Sequence, residues 1–384
     1  MNILYIVDTD PRRADYGGAQ RIHSLWEGLK KLGDVFTVVP VTRIQYERRD
    51  DTEKIYQIQL ERRYSIAWFV KRLTNRWNSH VPFPSLYTTR RLELYGIPSP
   101  DVCVVRPASL AVSLSLWERM LVIADMDDIP TVEVEMIERV KGSSLVLKIR
   151  KYLLQKMQEV VRRRARQIWI ADEAEMHRFE GTAISYVPNI PFPPLPDFAN
   201  ELGSSDRLFF VGSLSTFPNV VALDWFLNDI WPEVHEKCPE LKFEIAGGGL
   251  SSENKTAWSK IQGVKLLGRV DDLRPYYHNA LAVVLPMRIG SGTCLKTVEA
   301  LRMGRAILST RQGLRGVRED DRTQENGMFV FENADEFLRQ VDVLRRCDRV
   351  KFQRGGVAFV LKRNTQGFID QAIRSSVLGV VDQK

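Results

Sequence analysis

The sequence predicts an α/β protein of two doubly wound, parallel-sheet domains. Strand-like apolar runs alternate with helical patterns from residue 2 to residue 310. They fall into two series separated by a proline-rich stretch at 187–206. The strand runs are apolar throughout, as in parallel sheets covered by helices on both faces.

The first series opens with "NILYIV", then the helical "AQRIHSLWEGLKKLG" and the strand "VFTVVPV". The helix is expected to start near Ala19 and to stop at Gly33. Further strand runs are "DVCVV" (101–105), "MLVIAD" (120–125), "QIWIAD" (167–172) and "AISYVP" (183–188). Residues 43–100, rich in arginine and aromatics, suit an irregular cover over this domain. Residues 139–166 form a long basic helical segment, with eight Lys or Arg and one Glu between Lys148 and Arg166.

Five prolines in 187–196 forbid a helix or a central strand, so 189–206 is a linker between domains 1–188 and 207–359. The second series runs "RLFFVG" (207–212), a helix over 219–237, "KFEIAG" (242–247), "VKLLG" (264–268), "ALAVVLP" (280–286), a helix from about Leu295, and "AILST" (306–310). The partly helical C-terminal stretch need not belong to the second domain.

The chain has 384 residues, 44% hydrophobic and 27% charged, the balance of a globular protein with more than one core. No apolar run approaches a membrane span of roughly 18–20 residues. The opening "MNILYIVDTDP" lacks signal-peptide features and reads as a buried strand of a cytoplasmic protein. Cys103, Cys238, Cys294 and Cys347 are too scattered for metal or redox spacing and are expected reduced. The net charge of +7 favours anionic partners or, equally, a basic solvated surface. No nucleic-acid module is recognisable, so nucleic acid is not an expected partner.

Doubly wound domains bind ligands beyond the carboxyl ends of their strands. In the first domain, Gly17 and Gly18 precede a helix and could let a phosphate or sugar approach its N–H groups, or simply make the turn. Arg21 and His23 follow in the first turns, more in the manner of surface or packing residues than of catalysts. Asp125, Asp127 and Asp128 in "IADMDDIP" are candidates for sugar or acceptor contact, or for loop capping.

In the second domain, "FVGSLSTFPN", "AGGGLSSEN", Gly268 of "LLGRV" and "LPMRIGSGTCLKTVEA" end successive strands. Such glycine-tipped loops suit a nucleoside diphosphate, with backbone donors on phosphate and a carboxylate on ribose. Gly290, Ser291, Gly292 and Thr293 would turn amides and hydroxyls to phosphate oxygens. Lys296 would supply charge at the helix entrance, with Arg288 a second candidate. Glu299 shares a helix face with Lys296 and could accept bonds from two ribose hydroxyls. The competing reading is an i,i+3 surface salt bridge behind a turn.

Together "FVGSLSTFPNVVALDWFL…WP", "FEIAGGG" and "LLGRVDDLRPYYHNALAVVLPMRIGSGTCLKTVEALRMGRAILST" resemble the donor half of glycosyltransferase family 4 (glycosyl transferases group 1), over roughly 207–318. "GGAQRIHSLWEGLKKLGDVFTVV" resembles the start of that family's acceptor domain. The resemblance implies a GT-B fold: two Rossmann-like domains facing across a cleft, with the tail at about 360–384 crossing back to the N-terminal domain. It implies sugar transfer from a nucleotide sugar, a UDP- or GDP-sugar, with retention and without a required metal or cofactor. The acceptor would be a glycan, a lipid-linked molecule or another hydroxyl compound, in surface polysaccharide or glycoconjugate synthesis.

The resemblance places Glu299 on the donor ribose and the glycine-rich loop on the phosphates, and Lys296 and Arg288 complete the expected catalytic set. The donor would also meet Gly212, Ser213, Gly247, Gly248, Gly268, Arg269, Val270, Gly290 to Thr293 and Leu295. On the acceptor side Gly17 and Gly18 match family glycines, Arg106 stands at the strand end where members often carry a His, and Arg21 and Asp127 are further candidates. Ser291 stands where many members carry a further glutamate. Ser213 and Asn219 stand in the loop where many carry Arg and Lys. A GT-B nucleotide-sugar epimerase and a catalytically idle partner subunit are the alternatives. The basic segment 139–166 could lie on anionic membrane at the inner face and bring a lipid-linked acceptor.

Overall fold

The computed structural model describes residues 1–13, 17–41, 46–59, 86–114, 116–190, 206–346 and 349–382. The chain divides into two compact units, Met1–Phe192 with Gln366–Lys384, and Pro193–Thr365. Most of the expected linker, 191–205, and residues 60–85 of the expected cover lie outside the described residues.

The first unit is built on an eight-stranded sheet of order β3-β4-β2-β1-β5-β6-β7-β8. These are β1 (Asn2–Val7), β2 (Asp34–Pro40), β3 (Arg48–Asp50), β4 (Ile55–Ile58), β5 (Val102–Arg106), β6 (Val122–Asp125), β7 (Gln167–Ile170) and β8 (Ile184–Tyr186). All neighbours are parallel except β3 and β4. Successive side chains alternate between two buried faces, as the strand period requires. Leu4 and Ile6 join one core with Cys103, Val105, Ala124 and Ile168. Ile3, Tyr5 and Val7 join the other with Val102, Val104 and Trp169. The 43–100 region is therefore more than a cover, because β3 and β4 extend the sheet.

The second face is closed by two helices distant in sequence. Ile22, Leu25, Trp26 and Leu29 of the Gly17–Lys30 helix pack with Ile369, Ile373, Val377 and Val380 of the Gln366–Val381 helix. Trp169 Nε1 donates to Ser376 Oγ at 2.6 Å, and Gln366 Nε2 donates to the Ser24 carbonyl at 2.9 Å. The first unit's share of the tail thus begins at Gln366 rather than near 360. Residues 360–363 belong to the Arg349–Arg363 helix, where Val360 is buried in the second unit's core.

The second unit holds a six-stranded parallel sheet of order β11-β10-β9-β12-β13-β14. Its strands are β9 (Arg207–Val211), β10 (Lys242–Ala246), β11 (Val264–Gly268), β12 (Ala282–Leu285), β13 (Ala306–Ser309) and β14 (Met328–Val330). Both faces are covered, one over Leu208, Phe210, Phe243 and Ile245, the other over Phe209, Val283, Leu285 and Ile307.

Three helix boundaries differ from those expected. The first helix starts at Gly17, not near Ala19, so Gly17 and Gly18 form its first turn. The helix expected over 219–237 starts at Phe217 and passes through a π turn at Phe226–Ile230. Pro232, which lacks an N–H, sits in the first turn of the Trp231–Lys237 helix that follows. The basic segment 139–166 is two helices, Pro130–Lys141 and Leu145–Arg164. Gly142, at φ 81°, ends the first, and the Ser144 hydroxyl accepts from the Leu147 N–H to cap the second.

Candidate active site

In the second sheet β9 lies between β10 and β12, so the strand order reverses beside β9. Loops leaving the carboxyl ends at such a reversal open a crevice. Here they are tied together. Gly212 N–H donates to the Ala246 carbonyl at 3.1 Å, Leu214 N–H to Gly248 at 2.8 Å, and Gly247 N–H to Gly268 at 2.8 Å. A side chain at Gly247 is excluded, because a Cβ there would stand 1.9 Å from the Gly212 carbonyl oxygen. Arg269 lies next to this tip, its Cβ 3.9 Å from where a Cβ on Gly248 would be. Gly248, Gly268 and Arg269 are exposed, and Val270 is half-buried.

Lys296 reaches the same place from the Leu295–Arg302 helix. A Cβ on Gly212 would meet Lys296 Cε at 2.6 Å and Asn219 Nδ2 at 2.8 Å, so a larger residue there would displace the lysine from β9's end. The Lys296 Nζ lies 6.0 Å from the Phe210 ring centroid. It makes no ion pair and no hydrogen bond among the described residues. Burial holds the ammonium below the ordinary lysine value, and Arg315 adds to that effect, against the attraction of Cys294 and Glu299. A partly desolvated cation without a protein partner is a site prepared for an anion.

Glu299 is one turn further along and half-buried. It forms no salt bridge with Lys296, so the surface-pair reading of these residues does not describe the structure. Burial raises its carboxyl, while Tyr277 and Lys296 draw it part of the way back. The Tyr277 hydroxyl is buried close to Glu299 but reaches hydrogen-bond geometry with no protein group among the described residues.

The 290–293 loop is held from behind by a residue absent from the sequence reading. Arg315 donates from Nε to the Ser291 carbonyl at 3.1 Å and from Nη1 to the Gln312 carbonyl at 3.2 Å. Gln312 Nε2 donates to the Gly290 carbonyl at 2.8 Å, and Thr297 Oγ1 to the Gly313 carbonyl at 2.6 Å. Two of these bonds consume carbonyls of the glycine loop, those of Gly290 and Ser291. Burial pushes the Cys294 thiol up, but Arg315, Lys296 and Thr297 outweigh it and hold it low. The glycine-flanked arginine in "RQGLRGV", just past β13, was the available signal.

Other expected donor contacts are redistributed. Arg288 is exposed and lies over the Trp225 ring, 4.5 Å from its centroid, a cation–π position that accounts for its placement. Asn219 is buried and spends its amide on the Ser213 carbonyl at 2.8 Å, folding the loop. Ser213 is exposed with its hydroxyl 2.9 Å from that of Ser215. Leu295 is half-buried, and Gly292 and Thr293 are buried within their loop.

The first unit carries a separate charged cluster at the ends of β1, β5 and β6. Arg21 is 1% exposed and donates to both Asp125 oxygens at 2.8 and 2.5 Å, to the Val187 carbonyl at 2.8 Å and to Asn189 Oδ1 at 2.8 Å. Its donors are spent inside the fold, so it is a framework residue and not an acceptor contact. Arg106 donates to Asp127 Oδ2 at 2.7 Å and lies 3.4 Å from Asp125. Burial raises the Asp125 carboxyl against the pull of Arg21. Burial also acts on Asp127, but Arg106 and Arg21 outweigh it and keep that carboxyl low. Asp8, missed in the sequence, stands 3.9 Å from Arg106, and partial burial raises its carboxyl. Gly17 and Gly18 lie at the helix N-terminus beside residues 14–16, which are outside the described residues. Cys103, Cys238 and Cys294 are free thiols, and Cys347 lies outside the described residues.

Residues 205–346 match the family model described as glycosyl transferases group 1. A TarM mutant from S. aureus, in complex with Fondaparinux, alpha-GlcNAc-glycerol and UDP, aligns at TM-score 0.63 and 12% identity over all of both chains. HepE from Anabaena in complex with UDP-glucose aligns at TM-score 0.60 and 14% identity, over 99% of this chain and 100% of that one. The chain has the GT-B fold. Its resemblance to the glycosyl transferases of group 1 therefore holds over the second unit. An uncharacterized 44.6 kDa protein in the cps region of Klebsiella pneumoniae is 34% identical over 117 residues, 29% of this chain. That match spans only 30% of the relative's length. Among the described residues, no helix of this GT-B chain is long and apolar enough to cross a membrane.

Proposed function

We propose that the chain is a retaining hexosyltransferase-type glycosyltransferase. It takes a sugar from a UDP- or GDP-sugar and places it on a hydroxyl of a glycan or lipid-linked acceptor, in synthesis of a surface polysaccharide or glycoconjugate. The observation that carries this is Lys296, a half-buried ammonium with no ion pair or hydrogen bond among the described residues, laid across Gly212 at the carboxyl end of β9. The UDP complexes of the GT-B neighbours support a nucleotide donor, and the relative in a cps region accords with a polysaccharide product.

In the reaction, the bond from the anomeric carbon to the diphosphate oxygen breaks and its electron pair stays on the phosphate. The acceptor oxygen bonds to that carbon, and its proton passes to the leaving phosphate. Lys296 and the amides of Gly290 to Thr293 stabilise the growing charge, as fixed oxyanion donors do. Arg315 and Gln312 are positioning residues that keep the Ser291 and Gly290 carbonyls, respectively, turned away from phosphate. Glu299 holds the two ribose hydroxyls. Asp127 and Arg106 meet the acceptor from the first unit, and the protein works peripherally at the cytoplasmic face of a membrane, through 139–166.

Glu299→Gln weakens a nucleoside diphosphate by about 10–100-fold, the loss of a charge-assisted hydroxyl contact. The 2′,3′-dideoxy analogue should bind the parent and Glu299→Gln alike. Titration calorimetry with both ligands reads this, and equal weakening of both would remove Glu299 from the ribose.

A further inference from the structure

The Leu145–Arg164 helix buries Leu154, Met157 and Val161 in the first unit. At 3.6 residues per turn, this directs Leu145, Ile149, Tyr152 and Lys156 the opposite way. They are exposed: Leu145 at 74%, Tyr152 at 57% and Ile149 at 39%. Val146 beside them is 51% exposed, and Val140, at the end of the preceding helix, 45%. Thus five of the nine exposed large apolar side chains among the described residues fall within 140–152, at one helix-hairpin tip. Scattered single apolar residues are ordinary on a surface, but a cluster marks a binding face.

Charge identifies the partner. Arg139, Lys141, Lys148 and Lys156 flank the tip, with Lys156 Nζ 5.4 Å from the Tyr152 ring centroid. Arg150 and Lys151 point toward the preceding helix and pair with Glu133, Glu135 and Glu138 at 3.4–3.6 Å. Arg162 and Arg163 pair with Glu159. Of the basic side chains at 150–163, all but Lys156 pair with glutamates, and Lys148 and Lys156 stand beside the exposed apolar side chains. A second copy of this chain would bring the same cations together in a protein of net charge +7.

We propose that the tip formed by Val140, Leu145, Val146, Ile149 and Tyr152 inserts into the interfacial layer of an anionic bilayer, with Lys148 and Lys156 at the headgroups. An apolar face bordered by lysines is the pattern of helices that lie in that layer. The inference extends only the membrane part of the proposed function. It assigns contact to the apolar tip rather than to the whole basic segment.

The test is sedimentation of the full chain with phosphatidylcholine vesicles, with and without phosphatidylglycerol, at low and high salt. The parent should bind the phosphatidylglycerol vesicles, and more weakly as salt rises. Leu145→Ser with Ile149→Ser should cut partition about tenfold or more at either salt. Lys148→Gln with Lys156→Gln should remove most of the dependence on phosphatidylglycerol. Tyr152→Trp should show a blue-shifted emission on vesicles. These side chains lie outside the core, and an unchanged affinity for nucleoside diphosphate confirms the fold of each variant. Absence of vesicle binding by the parent, or unchanged binding by the serine variant, overturns the proposal. So does a dimer in gel filtration that Leu145→Ser dissociates. None of these three outcomes bears on the nucleotide site, which is read separately.

Discussion

Arg21→Met lowers the stability of the first unit by about 3–5 kcal/mol, the cost of stranding a buried carboxylate. Asp125 is wholly buried, and Arg21 gives it two hydrogen bonds while reaching the Val187 carbonyl and Asn189 with the same guanidinium. Arg106 remains 3.4 Å away, but Asp127 already engages it at 2.7 Å. Arg21→Lys is nearly as damaging, because a point ammonium cannot span three partners in a fork. Arg21→Met with Asp125→Leu recovers part of the loss, since the stranded charge is gone. Urea denaturation followed by circular dichroism measures this. A shift below about 1 kcal/mol for Arg21→Met, the scale of an exposed pair, would return Arg21 to a surface role.

Lys296→Ala reduces kcat/KM for sugar transfer by about 100–1,000-fold, the range for deleting one fixed donor from an oxyanion site. The protein should fold as well as the parent or better. The ammonium forms no ion pair among the described residues and its burial disfavours its charge, so its removal relieves a desolvation cost. Lys296→Arg restores charge but not shape, because the chain passes within contact distance of Gly212. Steady-state kinetics and a thermal melt on the same preparation separate the two effects. Full activity in Lys296→Ala would take the diphosphate away from this residue. Lost activity with a large fall in Tm would make Lys296 a folding residue.

Local chemistry made much of this legible. The apolar runs announced the parallel strands, since a strand buried on both faces has no polar alternation to show. Glycines at successive strand ends marked the loops, because close backbone approach excludes a Cβ, as at Gly247. Lys296 and Glu299 were visible as a spacing on one helix face. What stayed hidden depends on partners far apart in the chain. Arg21 pairs with Asp125 across 104 positions, so a buried framework arginine could be read only as a surface or packing residue or an acceptor-side candidate. Arg315 supports Ser291 from 24 positions away, and the glycines around the arginine mark a turn without naming that partner. Arg288 sat inside the loop motif, yet the Trp225 ring offers it a closer home. The helix break at 142–144 was written locally, in Gly142 and the capping Ser144, but the basic composition around it masked the signal.

The most direct measurement is calorimetry of UDP and GDP with the parent, Lys296→Ala and Glu299→Gln, using the vesicle-binding variant as a control. One diphosphate should bind the parent and the vesicle variant equally. Lys296→Ala and Glu299→Gln should each lose affinity by about tenfold or more, and the nucleoside without phosphates should be insensitive to Lys296. No binding of either diphosphate to the parent, or undiminished binding to both site variants, would contradict a nucleotide site at the end of β9.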